Sequence, residues 1–303
     1  MPKFMIIGPL TRDTISRDGL IYHATGGAVY FQSAVLSQLD IDLTAVITLS
    51  KNDKELLDVF PEDAEIIPVY VDETMEFENI YPNHDPNHRI QRAKVPNNPL
   101  LFDKLPQDIA SYDAVLLCPL SPGDIPIETI EYISNFDVPI YLGAQGYLRH
   151  LNDHEVVLKP WKDFQKFLMY VEMLFIDEVE ARVIIDCKDH ELDIIGKELS
   201  SFGPNDVIIT CGDRGALIYS SISERTYQIN AFPPKQTMDP TGLGDTYMAA
   251  YAAKRMETSD PKTCGIFASM VSTIKLENVG VFRGNKSNVN DRLKNIKKLD
   301  SKL

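Results

Sequence analysis

The chain has 303 residues, 44% of them hydrophobic and 24% charged, and a formal net charge of −14. That length suits one large α/β domain or two small ones, and the composition is that of an ordinary globular protein. The negative charge argues against nucleic acid and anionic membrane as partners, and no run of about 18 apolar residues marks a membrane span.

Residues 1–8 enter a strand-like segment at once. They lack the apolar region of a signal peptide, so the expected location is cytoplasmic. Along the chain, β-rich runs at 3–8, 43–49, 66–71, 114–119, 139–143, 174–176, 207–210, 216–219 and 226–231 alternate with helical patterns. The helical patterns fall at 27–39, 127–135, 161–170, 179–185, 193–200, 245–256 and 264–276. Alternation of this kind predicts a central, mostly parallel sheet with helices on both faces, in one domain spanning 1–303.

Two segments break the pattern. Arg17-Asp18-Gly19 separates two short strand-like runs within 14–26, and a Pro/Asn-rich stretch at 82–87 separates 75–81 from 88–95. Both read as β-hairpins, which places a small separate sheet beside the main one.

The cysteines, Cys118, Cys187, Cys211 and Cys264, fall at no metal-ligand spacing and read as buried thiols. His150 and His154 are four apart, which would suit a metal on a helix, but no Cys or Glu stands where it would complete a zinc site. His84 and His88 share that spacing inside the Pro/Asn-rich turn. The basic stretch 283–303 reads as a solvated helix face.

The most informative stretch is Asp239-Pro240-Thr241-Gly242-Leu243-Gly244-Asp245, which runs into the alanine-rich 246–256. Glycines let backbone come close to a ligand. The first helix amides have no partner inside the helix and sit at its positive end, so the junction suits an anion, phosphate above all. A carboxylate there repels an anion. It makes sense when Asp245 must point at the group that attacks the phosphate. The helix dipole predicts a lowered pKa for Asp245.

Three more segments carry chemistry. Asp177-Glu178-Val179-Glu180 follows a strand and suits water-coordinated Mg²⁺ through Asp177 and Glu180, or a plain helix cap. Thr210-Cys211-Gly212-Asp213-Arg214-Gly215 offers a hydroxyl and open backbone at Thr210, Gly212 and Gly215 for phosphate oxygens, on what is also a turn between strands. Thr25-Gly26-Gly27-Ala28 precedes a helix. Neither the P-loop pattern nor G-x-G-x-x-G occurs.

Together these segments resemble the ribokinase-like (PfkB) family of carbohydrate and nucleoside kinases, whose C-terminal motif is D-x-T-G-A-G-D; Leu243 stands where the family has Ala. The resemblance spans roughly residues 3–284. It implies an ATP-dependent kinase that phosphorylates a hydroxyl of a sugar or related polyol, with Mg²⁺ and a monovalent cation as cofactors. It gives Asp245 the orienting and proton-accepting role, beside the amides of Gly242, Leu243 and Gly244. It gives Asp13, Gly26, Gly27, Gln145 and Arg149 to the substrate, and Thr210, Gly212 and Gly215 to the nucleotide. It also makes 14–26 and 75–95 a lid over the substrate, through which two subunits pair. Phe31 replaces a usual Asn, Asp177 a usual Asn and Gly143 a usual Asp. A nucleoside kinase, with Tyr22, Tyr30 and Phe31 to stack a base, and a non-catalytic binding protein on the same fold are the alternatives.

Overall fold

A computed structural model describes residues 1–17, 19–81, 90–186 and 190–300. Asp18, the 82–87 turn, His84, His88 and Cys187 lie outside the described residues.

The first strand, β1 (Lys3–Pro9), lies inside a nine-stranded sheet. β4 (Asp42–Ser50) and β8 (Ala114–Leu117) flank it in parallel, and β5 (Glu65–Val71) lies beyond β4. β9 (Ile140–Gly143), β12 (Met173–Asp177) and β13 (Asp206–Thr210) continue the parallel run. β14 (Ala216–Ser220) and β15 (Arg225–Ile229) close that edge antiparallel. Strands covered on both faces carry continuous apolar runs, and β1 shows why. Phe4 and Ile6 join one core with the helices α1 (Ala28–Gln38), α7 (Leu243–Arg255) and α8 (Pro261–Leu276). Met5 and Ile7 join the opposite core with α2 (Ile127–Ser134), α5 (Glu178–Ile184) and α6 (Leu192–Ser200).

The chain leaves this sheet immediately after β1. β2 (Thr11–Arg17) and β3 (Leu20–Gly26) form one hairpin of a six-stranded second sheet, and β6 (Met75–Tyr81) and β7 (Ile90–Lys94) are an antiparallel pair in it. β2 and β6 join the two pairs side by side in parallel.

A third pair in this sheet escaped the sequence reading: β10 (Arg149–Asn152) and β11 (Glu155–Leu158), which reaches β7 at Glu155 opposite Arg92. Asp153 and His154 both take positive φ, 46° and 70°, the backbone of a two-residue hairpin turn that Asx residues tolerate. His150 and His154 therefore sit on a strand and its turn, not on one helix face. The helix expected at 161–170 is also shorter: α4 is Phe164–Leu168. Asp163 precedes it in a left-handed conformation, and the Trp161 ring stacks on Tyr147 at 4.4 Å outside any helix.

The C-terminal helix α9 (Lys286–Asp300) is not held by solvent alone. Arg292 grips Glu277 bidentately at 2.5 and 2.9 Å, the strong geometry for such a pair.

The start of α8 is fixed by chemistry legible in the sequence. Pro261 occupies its first turn and the Asp260 carboxylate accepts from the amides of Lys262 (3.3 Å) and Thr263 (3.0 Å). Asp260→Ala should lower stability by about 1 kcal/mol, whereas Asp260→Asn should keep most of it. Denaturant unfolding of both variants checks this, and an alanine variant as stable as the parent would contradict the capping account.

Candidate active site

The candidate residues gather where parallel strands end at their carboxyl side, the edge at which open α/β sheets bind ligands. α7 begins there. Its N-cap, Gly242, has φ 72°, a left-handed turn that favours glycine. Space demands glycine as well, because a Cβ at Gly242 would enter the Phe31 ring. Gly244 is exposed, and a Cβ there would meet open space. Among the described residues, the amides of Gly242, Gly244 and Asp245 meet no acceptor, whereas the Leu243 amide donates to the Pro240 carbonyl at 3.3 Å. Leu243 thus departs from its expected part in the amide row: its N–H closes the turn.

Asp245 lies one residue beyond, partly buried. Gln145 on the short helix α3 (Gln145–Leu148) donates its Nε2 to Asp245 Oδ1 at 3.2 Å. Burial raises the Asp245 pKa, opposed by the charge of Arg149, the Gln145 hydrogen bond and the charge of Lys275. The expected lowering by the helix dipole is therefore overturned, because desolvation of the carboxylate dominates. The Asp245 charge also helps burial push the Cys118 thiol well above its ordinary range, against a hydrogen bond from that thiol to Gln32.

Gln145 and Arg149 reach this place because the chain turns sharply after β9. Gly146 allows it: a Cβ there would collide with the backbone of Pro119 and Leu120. Gly143 stands where the resemblance expects Asp, a change that nothing in the structure explains. The Met248 sulfur lies 3.2 Å from where a Cβ would be.

Asp177 ends β12 and opens α5. The two carboxylates named for magnesium form a reciprocal capping box: Asp177 Oδ1 accepts the Glu180 amide at 2.8 Å and Glu180 Oε2 accepts the Asp177 amide at 2.9 Å. Each uses one carboxylate oxygen in the box. Among the described residues no group of three His, Cys, Asp or Glu is disposed to hold a metal. Such a donor set fits Mg²⁺ only as that ion is commonly held, through waters and substrate phosphates with one or two carboxylates. Burial, then the Asp177 charge, pushes the Glu180 carboxyl up to about 7, while Arg149 opposes the rise and Asp245 adds to it.

Thr210 pairs in register with Asp177 at the end of β13, its hydroxyl 3.5 Å from the Ile176 carbonyl. The following turn needs its glycines. Gly212 has φ 59° and open space beyond its Cα, and Gly215 has φ 93° with the Ile229 carbonyl against it. Arg214 ties the turn to Glu178 on α5.

Asp13, Gly26 and Gly27 form a separate group at the root of the second sheet. Asp13 is buried and accepts the Thr11 hydroxyl at 2.6 Å. A side chain on Gly26 would occupy the place of the Asp13 carboxylate, and Gly27, with φ 103°, is the N-cap of α1. That helix carries Phe31 onto Gly242, which joins this group to the α7 junction. Phe31 is buried, so it packs the motif and does not present the polar group of the residue it replaces.

Sequence reasoning missed Lys275. It is fully buried on α8 and its ammonium reaches the carbonyls of Asp239 (2.8 Å) and Thr241. A single lysine within the apolar run 264–276 was its only signal.

Residues 140–287 match the model of the pfkB family carbohydrate kinases. A nucleoside kinase of Methanothermobacter thermautotrophicus is 38% identical over 98 residues, so the match covers 30% of this chain and 30% of the relative's length. A pyrophosphate-dependent kinase in the ribokinase family, solved with sulfate, superposes with a TM-score of 0.80 at 22% identity over 92% of this chain and 97% of that one. The ribokinase of Arabidopsis thaliana, solved with ribose and ATP, does so at 0.77 and 17% identity, over 97% and 99%.

The Glu180 geometry carries a pH signature. A raised carboxyl pKa means that the folded state is favoured by protonation, so the gain present below the ordinary carboxylate range is lost as pH rises to about 7. Glu180→Gln keeps a capping-box side chain without the charge. In buffers without divalent cations, the melting temperature of the variant should gain on the parent between pH 5 and 8. Parallel curves across that range would contradict the burial cost.

Proposed function

We propose that this chain is a member of the ribokinase-like (PfkB) family, on the match of residues 140–287 to the family model, and is an ATP-dependent kinase acting on a hydroxyl of a sugar or related polyol. The observation that carries the reading is the α7 junction. Three amides that meet no acceptor among the described residues stand beside a carboxylate that Gln145 hydrogen-bonds and the charge of Arg149 favours. An anion site alone has no need of that carboxylate, whereas phosphoryl transfer does.

The acceptor oxygen forms a bond to the γ-phosphorus as the bond from that phosphorus to the bridging oxygen breaks, and ADP leaves. Asp245 orients the hydroxyl and takes its proton late, when the new bond has made it acidic. Its raised pKa makes it a better base than an ordinary aspartate. Amides of Gly242, Gly244 and Asp245 face the oxygens on which charge gathers. Arg149 compensates charge beside Asp245 and Glu180. Thr210, Gly212 and Gly215 line the nucleotide side, and Asp13, Gly26 and Gly27 the substrate side, under a lid made by the second sheet. Asp177 and Glu180 would hold Mg²⁺, which would supply neutralisation of phosphate charge.

A nucleoside as acceptor is favoured by one observation, the 38% identity to a nucleoside kinase. Tyr22, half exposed on β3 of the second sheet, and the partly buried Tyr30 are the candidate rings to stack on a base, while buried Phe31 is not.

The test is ADP formation with Mg²⁺ against sugars, polyols and nucleosides, with pyrophosphate run in parallel as donor. Turnover of at least one acceptor is expected, and none above background would overturn the reading. Asp245→Asn should lower kcat by about 10²–10⁴ and abolish the acid limb of the pH–rate profile, which should lie above the ordinary aspartate range. Retention of more than about a tenth of kcat would remove Asp245 from its role.

A further inference from the structure

Lys275 is a charged side chain with no exposed surface, an arrangement that persists only when the charge is well compensated. Its ammonium donates to the Asp239 carbonyl at 2.8 Å and to the Thr241 carbonyl, and lies 3.5 Å from Asp239 Oδ2. The Phe31 ring covers it at 5.6 Å. Lysine, with three donors on a compact point charge, suits this three-oxygen cage. The cage is itself cross-braced. Asp239 Oδ1 accepts the Thr241 amide at 2.9 Å, Oδ2 accepts the Gly280 amide at 3.1 Å, and the Met238 amide donates to the Leu276 carbonyl at 2.9 Å. The position near the carboxyl end of α8 also favours a cation.

The caged loop is the approach to the α7 junction. Gly242 follows Thr241 directly, and the Lys275 charge acts on Asp245. Two backbone carbonyls and a carboxylate around one positive charge are the surroundings in which a monovalent ion would be bound by a protein loop. Here the charge is attached to α8.

We propose that Lys275 is a positioning residue, a built-in cation that holds the Asp239–Thr241 loop and hence the amides of the α7 N-terminus. The protein therefore needs no free monovalent cation for this task, in contrast to what family resemblance implies. The catalytic consequence rests on the kinase reading, but the structural one does not.

Lys275→Ala empties the cage and leaves its oxygens. Melting of the parent and variant is compared in potassium, ammonium and choline chloride at equal ionic strength. The variant should melt lower in choline and recover in potassium or ammonium, while the parent melts alike in all three. In the kinase assay, the variant's kcat should fall by about tenfold or more in choline, with KM changing less, and should recover with ammonium. Parent turnover should stay within about twofold across the salts, a free-energy difference of about 0.4 kcal/mol. A parent that requires potassium, or a variant equally impaired in all three salts, overturns the proposal. A parent inactive in every salt overturns the kinase reading while the melting comparison still decides the role of Lys275.

Discussion

The left-handed turn at Gly242 is the constraint on which the site depends. It ends the loop that Lys275 grips and starts α7, so that three amides that meet no acceptor among the described residues and one carboxylate lie within four consecutive residues. Only glycine meets its two conditions, a φ of 72° and the Phe31 ring pressed against its Cα. Every other candidate group is placed relative to this turn: Gln145 and Arg149 by the sharp bend after β9, Asp177 and Glu180 by the cap of α5, and the Gly26–Gly27 pair by α1, which carries Phe31. The second sheet branches from the main one directly after β1.

Electrostatics divide the molecule in two. The net charge of −14 gives an anionic phosphate donor no general attraction, so affinity has to come from local groups. Arg149 and Lys275 supply positive charge at Asp245, and amides that meet no acceptor among the described residues supply partial charges that do not titrate. Desolvation lifts both Asp245 and Glu180, so two neighbouring carboxyl groups are held nearer neutrality than exposed ones are. A positive charge brought near them favours their ionised forms, which couples its binding to proton release.

The elements legible in the sequence were those set by local chemistry. The Asp239–Asp245 stretch was readable because glycine, proline and aspartate determine backbone at short range, and the alternating apolar runs gave the parallel sheet. The 149–158 hairpin was not read, since its turn rests on Asp153 and His154 at positive φ without a glycine. The Asp245 pKa was misjudged because the sequence displays the helix start but not the depth of burial. Lys275 stayed invisible because its partners lie 34 and 36 residues away, and two of its three oxygens are backbone carbonyls, which every residue has. Phe31 looked like a departure from a pattern and became intelligible only with Gly242 beside it.

The central claim is that the amides at the start of α7 and the Asp245 carboxylate address the same transferring group. A crystal structure with ADP, Mg²⁺ and fluoroaluminate tests this most directly, because the fluoride cluster occupies the place of the phosphoryl group in flight. The account predicts the cluster against the amides of Gly244 and Asp245, with the nucleotide phosphates extending toward the Thr210–Gly215 turn. A cluster bound elsewhere, or one held at α7 with the nucleotide on the Asp13 side, would contradict it.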